Sequence, residues 1–63
     1  MEDIDIYRSA KLYIDQYGVE ASVHAAMKAD AMLERGDLEG FNVWMRIGRA
    51  IENMQANEGG TRH

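Results

Sequence analysis

ERGDLEG, residues 34–40, decides how this chain folds. It is the densest run of glycine and charge in the sequence, and three readings compete for it. Arg35-Gly36-Asp37 is an adhesion tripeptide when it sits on an exposed loop, two glycines near a helix start suggest a phosphate cradle, and the run also suits a junction between two helices. The neighbouring residues choose between them. Gly36 stands where the preceding helical pattern stops, a place where a left-handed residue closes a helix. Asp37 stands where the next helix needs an acceptor for its first free N–H groups, and Glu39 adds negative charge at the positive end of that helix's dipole. Those two carboxylates would repel a phosphate, and no Lys-Ser/Thr pair follows the glycines as in a P-loop. The tripeptide needs an extended loop, whereas these residues serve two caps. The run therefore reads as a short helical hairpin, with Gly40 near the third position of the second helix letting the hairpin partner approach Trp44.

Upstream, the spacing predicts a helix from Ala21 to about Arg35, with Val23, Ala25, Ala26, Met27, Ala29, Met32 and Leu33 as its apolar side. Alanine keeps helix propensity high and lets a neighbouring helix come close, so this segment reads as the central, tightly packed one. Before it, Gly18 ends a helix that begins at Asp3 or Asp5 with an aspartate cap. Ile6, Tyr7, Ala10, Tyr13, Ile14 and Tyr17 recur there at intervals of three and four, which gathers them on one face. Downstream, a third helix runs from Leu38 to about Gln55. Phe41, Trp44, Met45, Ile47, Gly48, Ile51 and Met54 cover a wide apolar arc on it, opposite a polar stripe of Asn42, Arg46, Arg49 and Asn53. That arc is broader than two short neighbours should cover, and Trp44 is the residue expected at the centre of the packing. Residues 1–56 read as a single helical domain and residues 57–63, which are polar and contain Gly59-Gly60, as a disordered tail.

Length and composition narrow the function. A chain of 63 residues makes one domain and buries only about 60% of the surface its unfolded form exposes. Small domains commonly add disulfides, a metal or a partner chain. There is no cysteine, and His24 and His63 are the only histidines, with no third ligand at zinc-like spacing. A second copy of the chain is the remaining stabiliser, so a homodimer is expected. A net charge of −4 with dispersed carboxylates argues against a nucleic-acid partner. No apolar run approaches the roughly 20 residues that span a bilayer, and the acidic start at Glu2 and Asp3 is unlike a signal peptide. A cytoplasmic protein without membrane contact is expected.

The candidate site residues each have a plainer role. His24 is the one side chain suited to base catalysis near neutral pH, with Glu20 four residues before it and Lys28 four after. Ser9, Ser22 and Thr61 make no triad spacing with it, so it reads as a histidine paired with a neighbour. Tyr7, Tyr13, Tyr17, Phe41 and Trp44 could stack on a ligand, but their helical spacing favours core and interface. Arg46 and Arg49, one turn apart, are the close basic pair on a helix and read as a solvated face tempered by Glu52. Gly48 is the least expected residue, because glycine in a helix interior costs roughly 1 kcal/mol relative to alanine. It suggests the crossing point of another helix, in this chain or in a symmetry mate. Met45 and Met54 suit either an adaptable binding face or a core.

Ile6-Tyr7-Arg8 with Ala10-Lys11, Ile14-Asp15, Gly18, His24 through Asp30, Gly36-Asp37-Leu38-Glu39-Gly40 and Val43 through Ile47 form a pattern over about residues 4–52. In it the chain resembles a group of short, uncharacterised all-helical bacterial proteins, mostly alpha-proteobacterial. The resemblance implies a freestanding small helical protein and brings no activity, cofactor or catalytic residue. Phe41, where that pattern has a polar residue, and Gly48, where it has a larger apolar one, depart from it.

The sequence thus predicts an all-α fold, a small three-helix bundle with short turns near Gly18 and Gly36, dimeric through helix three. Phe41, Trp44, Met45, Gly48, Ile51 and Met54 form the expected interface, with His24, Arg46 and Arg49 as polar contacts. No catalytic, metal or cofactor residue is assigned. The expected function is non-enzymatic binding of another protein, in its specific form inhibition of a bacterial nuclease or CRISPR-type defence complex by a phage or mobile-element product. A nucleic-acid accessory protein using Arg8, Lys11, Arg46 and Arg49 is the alternative, and an enzyme with His24 as base a third.

Overall fold

A computed structural model describes the backbone of residues 3–60 and the side chains of 4–56, and within these limits the chain is all-helical, with no strand. The backbone forms two helical stretches, not three separated by loops. The first runs from residue 3 to 34 without a coil residue, because the expected turn at Gly18 is itself helical. It divides into α1, Asp3–Tyr17, a 3-10 turn at Gly18–Glu20, and α2, Ala21–Glu34. Gly18 has φ +61, the left-handed region that favours glycine, and this residue redirects the chain. Its carbonyl accepts from the Ala21 N–H and from Gln55 Nε2, the latter at 2.8 Å, which fastens the turn to the C-terminal half of α3. The second stretch is α3, Leu38–Gly60, five residues longer than the spacing predicts. The side chains of 57–60 and all of 61–63, where the expected tail falls, lie outside the described residues, as does the side chain of Asp3, the first of the two candidate caps of α1.

The junction at 34–40 is built as its residues require. Gly36 has φ +77 and donates to Leu33 O at 3.0 Å, while Asp37 N donates to Met32 O at 2.8 Å, the paired bonds of a Schellman closure. Asp37 then caps α3: its Oδ1 accepts from Gly40 N at 2.8 Å and its carbonyl from Phe41 N at 3.0 Å. Gly40 serves this cap and not an approach to Trp44. A Cβ there would lie 2.7 Å from Asp37 Oδ2 and 3.0 Å from Met32 Sδ, so glycine leaves room for the capping carboxylate and for the end of α2.

The most extensive contact is between α2 and α3, and α1 packs against both. The core consists of small residues around isoleucine. Ala10 from α1, Ala21, Ala25 and Ala29 from α2, and Ile47, Ala50 and Ile51 from α3 are buried together with Ile6, all at 7% exposure or less. Ile47 and Ile51, not Trp44, are the large side chains at its centre; Trp44, Tyr13, Ile14, Tyr17, Val43 and Met54 pack around them, half-buried. The alanines 21, 25 and 29 follow one another at intervals of four and so form a single smooth ridge. This ridge is why α2 and α3 approach closely, and it takes much of the apolar arc of α3. The cost of a core made of methyl groups is that each buries little area, at about 0.8 kcal/mol per carbon, against about 1.5–3 kcal/mol for an isoleucine.

Candidate binding grooves on the helical surface

With the centre filled by alanine and isoleucine, much of the larger apolar surface remains outside. Ile4, Tyr7, Leu12, Val19, Val23, Met27, Leu33, Leu38 and Met45 are all exposed. Tyr7 and four residues of the expected apolar side of α2, Val23, Ala26, Met27 and Leu33, therefore face water. Grooves lie between the helices, and three of them are lined by residues of the predicted site.

The groove between α2 and α3 gathers most of the sequence-predicted site. Ser22 and Ala26 line one wall, Trp44, Met45, Arg49 and Glu52 the other, and Gly48 lies between them. Its volume of about 180 Å³ is below the several hundred typical of small-molecule pockets, so it fits one or two side chains of a partner. Gly48 is explained only in part by packing. A Cβ on it would meet Ala25 Cβ at 3.6 Å, an ordinary contact, and nothing closer. The neighbouring helix is α2 of the same chain, and alanine would fit against it. Gly48 leaves that stretch of the groove beside Trp44 without a side chain. Trp, Met and Arg are the side chains enriched at protein interfaces.

Trp44 is also the end of an aromatic row that crosses the three helices. Its ring lies 5.3 Å from Tyr13, Tyr13 lies edge-on to Tyr17 at 5.1 Å, and Tyr17 stacks on His24 at 3.8 Å and 13°. Burial pushes the Tyr13 phenol above its ordinary value, and the nearby Tyr17 adds to the shift. His24 Nε2 is 3.9 Å from Glu20 Oε1, so both of its close partners, a stacked ring and a carboxylate, belong to its own fold. It lines none of the three grooves.

The remaining predicted residues separate. Ile51 is wholly buried under α1 and α2 and is a core residue, not an interface residue. Phe41 is half-buried at the hairpin end, and Met54 belongs to a different groove. Arg46 and Arg49 line a groove between α1 and α3 with Ile6, Tyr7, Ala50 and Asn53. Arg8 and Lys11 line a third, with Ile4, Tyr7, Leu12 and Met54. The two basic pairs thus lie in neighbouring grooves that share Tyr7, and Lys11 holds Asp15 at 3.3 Å. Apolar spacing does not reveal the outer side of α2, because Val23 and Met27 count as inward-facing together with the alanines.

Among the described residues no group of three His, Asp or Glu is placed to hold a metal ion, and no helix is long and apolar enough to cross a membrane. The chain matches no protein-family model, no curated protein and no solved structure.

Proposed function

We propose that this protein is a non-enzymatic binding module that docks a protein partner in the α2/α3 groove. One observation carries the reading: Gly48 sits in a helix interior, where alanine would pack without strain, and its missing side chain opens a groove between Trp44, Met45 and Arg49. Burying a methionine or a tryptophan edge there supplies roughly 1.5–3 kcal/mol each, enough for a few such contacts to define a specific site. In the specific form of the proposal the protein acts in the cytoplasm as a mobile-element inhibitor, placing its negative charge in the basic nucleic-acid channel of a nuclease or CRISPR-type defence complex. The net charge of −4 supports that form. Self-association also belongs to the proposal. A homodimer closed through helix three would have to use Met45 and the groove edge, since Ile51 and much of the arc serve α1 and α2.

Affinity capture from a bacterial lysate with wild type, Met45→Glu and Gly48→Leu tests the reading. A partner retained by wild type and lost by both variants, with helicity unchanged, is the expected result; recovery of the bait alone overturns it. Tyr7 between the pairs Arg8/Lys11 and Arg46/Arg49 favours, as second reading, a nucleic-acid accessory role. That reading requires affinity for single-stranded or duplex nucleic acid that falls steeply with salt.

A further inference from the structure

The apolar side chains left in water include two surfaces of opposite charge. One is a broad, shallow groove lined by Ile4, Tyr7 and Leu12 of α1 and Met54 of α3, with Arg8 and Lys11 at its edge. Arg8 makes no ion pair among the described residues, and Lys11 holds Asp15 through a bond between two side chains that are about two-thirds exposed. An ion pair that exposed contributes little and exchanges easily. The other surface is convex. Val23, Met27, Asp30 and Glu34 recur at intervals of four, three and four along α2, which places them on one face, and all four are exposed. They lie on the side of α2 away from the buried alanine ridge. Val19, 90% exposed, and Glu20 precede them in the 3-10 turn.

Charge selects how these surfaces pair. Groove against groove would bring the two copies' Arg8 and Lys11 together on a desolvated contact, and ridge against ridge would do the same with Asp30 and Glu34. Each juxtaposition of like charge is unfavourable, whereas groove against ridge sets cations against carboxylates around an apolar centre. We infer that the chain associates head to tail, the α1 groove of one copy receiving the α2 ridge of the next. Such a contact is heterologous: it leaves one groove and one ridge open at the ends, so association continues past the dimer into a ring or a chain. It uses neither Trp44 nor Gly48, so it is independent of partner docking in the α2/α3 groove, and it is an alternative to a homodimer closed through helix three, from which the masses below separate it.

Two single variants test it, because both residues are exposed and neither supports the core. Leu12→Glu places an anion in the groove, and Met27→Lys places a cation on the ridge. Sedimentation is followed from micromolar to millimolar concentration, with far-UV circular dichroism to show that each variant is folded. Wild type is expected to rise past twice the chain mass of 7.1 kDa, and each variant alone to remain at the chain mass. An equimolar mixture of the two should settle at twice the chain mass, since the intact ridge of one variant fits the intact groove of the other. Wild type that stays monomeric, a variant that still associates alone, or a mixture that fails to pair overturns the inference. A wild-type plateau at two chains that mixing does not restore identifies a two-fold contact and overturns it as well.

Discussion

The same substitution, glycine to alanine, should have different signs at two positions of α3. At Gly48 the new methyl meets only Ala25 Cβ at 3.6 Å, so nothing has to move. Alanine in a helix interior is favoured over glycine by about 0.8–1 kcal/mol, and the partly buried methyl adds a fraction of the roughly 0.8 kcal/mol of a fully buried one. Gly48→Ala is therefore expected to stabilise the fold by about 1 kcal/mol, which for a domain of this size raises Tm by about 4–8 °C. At Gly40 the methyl would stand 2.7 Å from Asp37 Oδ2. The carboxylate can turn away only by giving up its bond to Gly40 N, and losing such a cap costs about 0.5–2 kcal/mol. That loss offsets the propensity gain, so Gly40→Ala should range from neutral to about 1 kcal/mol destabilising. Urea denaturation of the two variants, followed at 222 nm, reads the difference directly at a concentration where the chain is monomeric. A Gly48→Ala variant no more stable than Gly40→Ala would refute the packing described here, because it would mean that α2 and α3 approach more closely at Ala25 than at the hairpin end. If Gly48→Ala is stabilising and also weakens capture of a partner, its glycine serves the groove and not the fold.

Two further outcomes follow from burial. Ile51→Ala, at the centre of the core, should cost about 2–5 kcal/mol in urea denaturation, while Met45→Ala, 43% exposed, should stay within about 0.5 kcal/mol; equal effects would place the core elsewhere. Tyr13 holds its phenolic proton more tightly when folded, so its contribution to stability is present below the unfolded pKa of about 10 and is lost as pH rises through the higher folded value. Wild type should lose stability from about pH 10 upward more steeply than Tyr13→Phe, and parallel alkaline profiles would contradict a raised pKa of that phenol.

What the sequence determined is local. Gly36 and Asp37 fixed the hairpin because a left-handed closure and an N-cap are decided by a few adjacent atoms, and both appear with the bonds their residue types require. Helical spacing placed α1 and the start of α2, since apolar periodicity reports the face that will be covered. It did not determine which of several covered faces goes inward. On α2 the valine, the methionines and the alanines all satisfied an apolar count, and only the approach of α3 showed that Ala21, Ala25 and Ala29 go inward: a close crossing rewards the absence of side chain, and Val23 and Met27 are turned to water. For the same reason the arc of α3 did not announce its division, with Ile47 and Ile51 taken inside and Met45 left at a groove edge. The site depends on that division, because grooves between helices are made by residues from different segments, and their meeting is settled by tertiary packing.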